Sequence, residues 1–185
     1  MKSKSGKPKT FLISDTFFGR TQIIDIAGRP FDTVEEMDEA LISNWNNVVS
    51  DIDTVYHLGN FAWTPVIADD ILKRINGNIK FILGDYDDAL LEIADYYEGI
   101  EIIDKGIVKD YNHKIILSHY PLLDWPGKEK GIYSFHGHSL KSNRTDLTVS
   151  NRVNVAADLN NFIPQNLEVM MEVFQTFKDD YKAKA

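Results

Sequence analysis

Carboxylate, amide and imidazole side chains occur in five short stretches that are spread along this sequence. Each stretch lies at or just after the end of a predicted strand, where open α/β sheets place their ligand sites. These side chains can bind a divalent cation or transfer protons near neutral pH. The five stretches are Asp15-Thr16-Phe17-Phe18-Gly19-Arg20, Gly59-Asn60, Gly84-Asp85-Tyr86-Asp87, Ser118-His119 and His136-Gly137-His138-Ser139-Leu140. Their order predicts one site built from distant parts of the chain.

Strands and helices alternate in the first half of the chain. Short apolar runs predict buried strands over residues 10–14, 54–58 and 79–83. Between them, a capping residue predicts a helix that begins at Asp32 or Thr33, and Thr64-Pro65 begins another that Gly77 closes. A short helix is predicted over residues 87–97.

The second half contains mostly consecutive strands. Extended segments are predicted over residues 100–111 and 114–118, joined at Asn112-His113 by a hairpin-like connection. Two further strands are predicted over residues 131–136 and 152–156, and a C-terminal helix over residues 166–182. Alternation followed by consecutive strands predicts two sheets packed face to face, with helices outside.

As an ordered set, the five stretches resemble the calcineurin-like metallophosphoesterase family, in particular small bacterial or phage-type members with an Asp-Thr-His-Phe-Gly-His start. The similarity runs from about Phe11 to Asp158, with further matching stretches at residues 34–41, 56–59 and 117–123. The resemblance implies a four-layer α-β-β-α sandwich of two mixed sheets, as a single domain over residues 10–182. It also implies two divalent metals ~3.5–4 Å apart that bind phosphate oxygens while hydroxide attacks phosphorus.

The position of the first metal has lost most of the ligands that the family would use. By position these are Asp15 and residues 17, 60 and 140, but residue 17 is Phe and residue 140 is Leu. Residue 60 is Asn, whose side chain has one coordinating oxygen and an NH2 group that cannot bind a cation. It therefore cannot bridge two metals as a carboxylate does. Only Asp15 remains, as a remnant of this site, so we expect no dinuclear centre.

The position of the second metal keeps Asn60, Asp85, His119 and His138. These supply an amide oxygen, a carboxylate and two imidazoles, a set consistent with a single Mn²⁺, Zn²⁺ or Fe²⁺ ion. The alternative is that both histidines are hydrogen-bonded polar residues kept from an ancestor, with no metal.

Other positions that the resemblance assigns to catalysis and packing are also changed. Tyr86 stands where the family has an assisting histidine, and a phenol with a pKa near ~10 is a poor acid at neutral pH. Phe17 and Leu140 are expected to make an apolar contact in place of the ion, while Asp15 accepts hydrogen bonds from Asn60 or pairs with Arg20. Arg144 is a candidate for binding substrate, with a plain surface position as its alternative.

Charge and composition exclude several classes of function. The formal net charge is −8, which argues against nucleic-acid binding, and Asp15, Asp85, Asp87 and Asp88 predict an acidic cleft that repels phosphate. Residues 1–9 form a basic tail that we expect to be flexible. With no cysteine and no apolar run near ~20 residues, we expect a cytoplasmic protein without a membrane span.

Three functions remain open from the sequence. The first is a degenerate phosphoesterase, impaired in catalysis and kept as a binding or structural module. The second is a weak phosphomonoesterase or phosphodiesterase that runs on one metal. In the third, a helical stripe containing Met170, Phe174 and Phe177 binds a protein partner or a second copy, although such a stripe is more often core.

Overall fold

In the part of the chain that the structure describes, ten strands form two five-stranded sheets. The structure is a computed structural model, and it describes residues 6–103, 108–110, 114–140, 145–146 and 151–184. The first sheet contains β1 (Thr10–Ile13), β2 (Thr54–His57), β3 (Asn78–Ile82), β4 (Glu101–Ile103) and β10 (Gln165–Asn166). The second contains β5 (Val108–Asp110), β6 (Ile115–Ser118), β7 (Tyr133–His136), β8 (Thr145–Asp146) and β9 (Arg152–Asn154).

Parallel strands form the centre of both sheets. The first sheet has the order β10-β1-β2-β3-β4, in which only β10 runs antiparallel to its neighbour. The second has the order β5-β6-β7-β9-β8, with antiparallel strands at its two edges. The expected α/β class is confirmed at this level.

Strand register brings the ends of the central strands to one side of the molecule. Ile13 pairs with His57 and His57 with Phe81, so the segments after β1, β2 and β3 leave the first sheet together. In the second sheet Ser118 pairs with His136, which aligns the ends of β6 and β7. The candidate site residues follow these ends.

A backbone connection joins the two sheets at this same side. Ser14, directly after β1, forms an isolated parallel bridge with Ala156, which follows β9. The Ser14 N–H donates to the Val155 carbonyl at 3.1 Å, and the Ala157 N–H donates to the Ser14 carbonyl at 2.9 Å. The loops that leave both sheets therefore meet around Ser14.

Five α-helices accompany the sheets in the described residues: α1 (Gln22–Ala27), α2 (Val34–Val48), α3 (Pro65–Leu72), α4 (Asp88–Leu91) and α5 (Leu167–Lys184). The predicted N-caps are confirmed, since the Thr33 hydroxyl accepts from the Glu36 N–H and the Thr64 hydroxyl from the Ile67 N–H. The predicted closure of α3 by Gly77 is wrong, because the helix already ends at Leu72 with Lys73 as its C-cap. Among these described helices, none has the length and apolarity that crossing a membrane requires.

Two hydrophobic clusters form the core. The first lies between the first sheet and the helices, where Ile13 and Phe81 pack with Met37, Leu41 and Trp45 of α2. The second is shared by both sheets and α5. It contains Leu12 and Ile82 of the first sheet, Leu117 and Phe135 of the second, and Met170 and Phe174 of α5. Met170 and Phe174 are buried, so this part of the predicted docking stripe belongs to the core.

The structure differs from the sequence-based elements in five further places. Helix α1 and the short strands β8 and β10 were not expected, and the predicted helix over 87–97 is α4 followed by a separate 3₁₀ turn (Ala94–Tyr96). The extended run over 100–111 divides into β4 and β5, which belong to different sheets, because a local pattern does not specify which strand will pair with it. The predicted turn at Asn112-His113, the side chain of Phe177 and residues 1–5 lie outside the described part of the structure.

Candidate metal centre

Asp85, His119 and His138 come together where the two sheets meet. One potential ligand atom from each residue lies within 4.8 Å of the other two. Asp85 Oδ2 is 3.2 Å from His138 Nδ1 and 3.6 Å from His119 Nε2. Two imidazoles and a carboxylate form a donor set that suits Zn²⁺, Mn²⁺ or Fe²⁺. Three of the four predicted ligands of the second metal are thus brought together.

His119 is held in the tautomer that a metal ligand needs. Its Nδ1 lies 2.6 Å from the Leu58 carbonyl, which can only accept, so Nδ1 carries the proton and Nε2 keeps its lone pair. Gly59 (φ 94°) makes this approach possible, because a Cβ there would lie 2.5 Å from His119 Nδ1. His119 is buried, whereas the side chains of Asp85 and His138 are 32% and 43% exposed, so the cluster opens to solvent on one side.

Tyr120 completes the surroundings of the cluster and was not predicted. Its hydroxyl donates to Asp85 Oδ1. Its ring centroid lies 4.9 Å from that of His119 and 4.8 Å from that of His138. The hydrogen bond to Asp85 raises the pKa of the Tyr120 hydroxyl. Its position directly after His119 at the end of β6 was the available signal.

Asn60 joins, through hydrogen bonds, the two metal positions that the resemblance implies. Its Nδ2 donates to Asp15 Oδ1 at 2.8 Å, and its Oδ1 accepts from the N–H groups of Asp85 and Tyr86 at 3.0 and 3.1 Å. Two donors occupy both lone pairs of the amide oxygen. Asn60 is therefore a hydrogen-bond bridge in this structure, and its oxygen is not directed to the cluster as the fourth predicted ligand would be.

Asp15 is completely buried beside this bridge. Its second oxygen accepts from the His138 N–H at 2.8 Å. Burial raises the pKa of the Asp15 carboxyl, although His119 and the hydrogen bonds act in the opposite direction. Of the two partners predicted for Asp15, the Asn60 amide is confirmed, and Arg20 instead packs on aromatic rings.

Backbone strain is concentrated at these residues. Asp15, Phe17, Asn60 and His138 all have positive φ values, between 52° and 67°. Each such non-glycine residue costs about 1–3 kcal/mol, and strain of this kind persists where the surrounding contacts determine the geometry. These contacts include the Asp15–Asn60 and His138–Asp15 hydrogen bonds, so the loops form one interlocked unit.

Apolar and aromatic groups occupy the position where the resemblance implies a first metal. Phe17 is buried, and Leu140 packs against the same hydrophobic cluster that contains Phe17. The Tyr86 ring centroid is 6.0 Å from that of Phe17 and 5.8 Å from that of Trp63. Tyr86 and Trp63 remain 46% and 41% exposed, which places them at the mouth of the site.

Asp87 has a structural role that changes the predicted charge of the cleft. It is buried, and its two oxygens accept from the N–H groups of Asn60, Phe61 and Gly84 at 2.7–2.8 Å. Since Asp15 is also buried and hydrogen-bonded, Asp85 and Asp88 are the exposed carboxylates of the predicted acidic group. Two of the four carboxylates predicted to line the cleft are therefore buried and do not face solvent.

Two buried histidines support the site from below. His57 lies 2.9 Å from the Thr16 hydroxyl, and burial, with repulsion from His119, lowers its pKa to about 3. His136 Nδ1 donates to the Gly137 carbonyl at 2.8 Å, directly before His138. Burial is also the main cause that lowers the pKa of His136, to about 4. Arg144 lies outside the described residues, and its predicted role in substrate binding stays a prediction.

Sequence reasoning missed Arg29, which fixes the loop after β1. Its guanidinium donates to the Asp15 and Thr16 carbonyls at 2.7 and 2.8 Å and makes a two-point contact with Asp158, with both distances 2.9 Å. Asp158 is 129 residues away in sequence, so no local pattern indicates the pair.

The chain is similar to one protein in sequence and to another in fold. No family model matches the sequence. A crystal structure of a protein of unknown function from Aquifex aeolicus, AQ665, has a similar fold, with a TM-score of 0.66 and 22% identity over 90% of this chain and 100% of that chain. The sequence is 33% identical over 178 residues to the uncharacterized protein MJ1445 of Methanocaldococcus jannaschii, which covers 92% of this chain and 93% of that protein. The chain therefore belongs to the same protein family as MJ1445.

Proposed function

We propose that this chain is a degenerate calcineurin-like metallophosphoesterase that binds one divalent cation and serves as a binding or structural module. The proposal includes the four-layer arrangement of that family for the two sheets and their helices. The observation that carries it is the hydrogen bond from the Asn60 amide to Asp15 Oδ1, at 2.8 Å. An N–H donor lies where a dinuclear centre needs a shared carboxylate.

The residues at the first metal position do not fit a cation. Asp15 is the one ionisable group there, and both of its oxygens already accept hydrogen bonds from Asn60 and His138. Phe17 and Leu140 supply no donor atoms. The proposed function therefore includes no hydrolytic step that requires two metals.

The second position fits one cation. His119 presents Nε2, which carries the lone pair in its neutral ring, and Asp85 and His138 supply the other two donors, with their side chains open to solvent. A cation held by these residues would supply Lewis-acid polarisation of an anionic oxygen. The chain's own contribution is to hold His119 through Leu58, and Asp85 through Tyr120 and Asn60.

A weak single-metal phosphoester hydrolase is the second candidate. It is favoured by the position of Tyr86, which is half-exposed and follows Asp85 directly. A phenol can donate a hydrogen bond to a phosphoryl oxygen, but proton transfer by a matched general acid is worth about 10²–10⁴-fold in rate, most of which a tyrosine would forfeit at neutral pH. Any turnover would be slow.

Metal content and turnover, measured together, test the proposal. We expect the purified protein to bind close to one equivalent of Mn²⁺ or Zn²⁺ by elemental analysis after dialysis, and we expect His119→Ala and His138→Ala to lose it. We expect Mn²⁺-loaded protein not to hydrolyse bis-p-nitrophenyl phosphate or p-nitrophenyl phosphate above background.

The control is Asp88→Asn, which removes an exposed carboxylate three residues from Asp85 and should leave metal binding unchanged. Two equivalents of metal would contradict the proposal. Turnover that disappears in both His119→Ala and His138→Ala would replace the first candidate by the second. If the purified protein retains no metal, both candidate functions are wrong.

A further inference from the structure

Arg20 lies in an aromatic cage formed by Phe17, Trp63 and Tyr86. The guanidinium carbon is 4.8 Å from the ring centroid of Phe17, 4.4 Å from that of Trp63 and 4.7 Å from that of Tyr86. Contacts of this kind with three rings stabilise a cation and fix the plane of the guanidinium. The cage is rigid on its inner side, because Phe17 is buried.

Arg20 differs from the other arginines that the structure describes. Arg29 bonds to Asp158, Arg74 to Glu39 and Asp70, and Arg152 to the Leu122 carbonyl. Within the described residues, Arg20 Nε is buried and has no hydrogen-bond acceptor. Because Nε is not accessible, an anion would bind at the terminal N–H groups of this partly exposed side chain.

The cage adjoins the candidate metal centre. Tyr86 follows Asp85, and the N–H groups of both residues donate to the same Asn60 oxygen. The loop that carries Arg20 is fixed next to it, because the Gly19 N–H donates to the Asp38 carboxylate at 3.0 and 3.1 Å. Trp63 and Tyr86 are partly exposed, so a small molecule can reach the cage from solvent.

We propose that Arg20 is an anion-binding residue that receives a phosphate or carboxylate group of a ligand on the edge of its guanidinium. The rings cover the faces of the guanidinium, so we place the oxyanion on its terminal N–H groups, whose planar arrangement matches a phosphate or carboxylate in shape. Little side-chain entropy is lost on binding, because the rings already hold the arginine in place. This inference goes beyond the proposed function and needs no metal.

Calorimetric titration with inorganic phosphate and, separately, with acetate tests the inference in resin-stripped and Mn²⁺-loaded protein. We expect phosphate binding in both forms, and we expect Arg20→Gln to weaken it by at least about tenfold, the loss typical of a charge-assisted hydrogen bond. Arg20→Lys keeps the charge without the fork and should give intermediate affinity. The acetate titration distinguishes a general carboxylate site from one that prefers phosphate.

Arg74→Gln is the matched control, since it removes a partly exposed arginine that already has carboxylate partners, and it should bind phosphate as the wild type does. Thermal melting of each variant separates loss of binding from loss of folding. Equal phosphate affinity in wild type and Arg20→Gln would overturn the inference, as would no binding of either anion to the wild type. A lower melting temperature of Arg20→Gln with unchanged binding would reduce Arg20 to a packing residue. Elemental analysis reports on the metal independently, so failure of this inference and failure of the proposed function are distinguishable.

Discussion

The Asn60 amide determines how the buried Asp15 carboxylate is accommodated. It donates to Asp15 on one side and accepts two N–H groups of the loop after β3 on the other. An isolated carboxylate in this position would carry a large desolvation penalty, which hydrogen-bond donors reduce. The Asn60 amide thus compensates part of the cost of burying the Asp15 carboxylate.

Replacing Asn60 by Asp should destabilise the metal-free protein. Asn60→Asp places a second carboxylate within hydrogen-bond distance of Asp15 and removes the donor, so we expect the free energy of unfolding to fall by about 2–4 kcal/mol at pH 8. The loss should shrink toward pH 5, because a shared proton relieves repulsion between two close carboxylates.

Urea denaturation at both pH values measures this effect. Asn47→Asp makes the same chemical change on an exposed face of α2 and should stay within about 0.5 kcal/mol of wild type. An Asn60→Asp variant as stable as wild type at pH 8 would show that the amide donor is dispensable.

At the scale of elements, the segment between β1 and α1 is held from three directions. Arg29 binds the Asp15 and Thr16 carbonyls, the Thr16 hydroxyl donates to the Phe61 carbonyl, and Asp38 of α2 accepts from the Gly19 N–H. The sequence predicted β1 and α2, since apolar spacing and a cap specify each one locally. It did not predict Arg29 or Asp38 as anchors, because both act on backbone groups of another element.

Asp38 makes this anchor sensitive to pH. Burial raises its pKa from 3.8 to about 6, opposed by the Gly19 N–H. The folded state therefore holds the proton more tightly than the unfolded state, so the contribution of Asp38 to stability falls as pH rises from about 4 to about 6. Asp38→Asn keeps an acceptor for Gly19 and should be more stable than wild type by about 1 kcal/mol at pH 7.5, a figure reduced for partial exposure.

This difference should decrease as the pH is lowered through 6 toward 4, where Asp38 itself becomes neutral. Denaturation curves of Asp38→Asn and wild type at pH 4.5 and 7.5 measure it, with the exposed Glu92→Gln as the control. A variant that is less stable than wild type at pH 7.5 would mean that the charged form of Asp38 strengthens the anchor.

At the scale of the whole molecule, both sheets meet at Ser14 and share the cluster around Leu12 and Phe135. His57 lies beneath this junction, fully buried, with its ring close to those of Phe61 and Phe81. An imidazole in such surroundings remains neutral while the protein is folded. Acid therefore acts on the junction of the sheets as well as on surface groups.

His57 should lower the stability of the folded protein at acidic pH. Its pKa is lowered from 6.5 to about 3 in the folded protein, so between these values the unfolded state binds the extra proton and stability falls as pH decreases. One such group contributes at most about 1.4 kcal/mol per pH unit. We expect the free energy of unfolding to fall by this mechanism as the pH is lowered from 6.5 to 5. His57→Gln should reduce the slope of the free energy of unfolding against pH, because about one proton fewer is taken up on unfolding.

Proton NMR gives a second measurement that does not depend on the variant folding. The His57 ring resonances of the native protein should show no titration between pH 5 and 8. A His57 midpoint near 6.5 would contradict the burial argument.

Local patterns in the sequence were sufficient to predict most helices and strands and the residues that form the candidate metal centre. Apolar runs and caps specified β1, β2, β3, α2, α3 and α5, and the positions of Asp85, His119 and His138 after strands indicated that they would meet, because parallel strands bring their carboxyl ends to one side. The tertiary structure alone decided that the Asn60 oxygen serves two N–H groups, that Arg20 packs on three rings and that Arg29 binds Asp158. Hydrogen-bond direction and ring contacts depend on atoms brought together from far apart in the chain, and only the packed fold sets their positions.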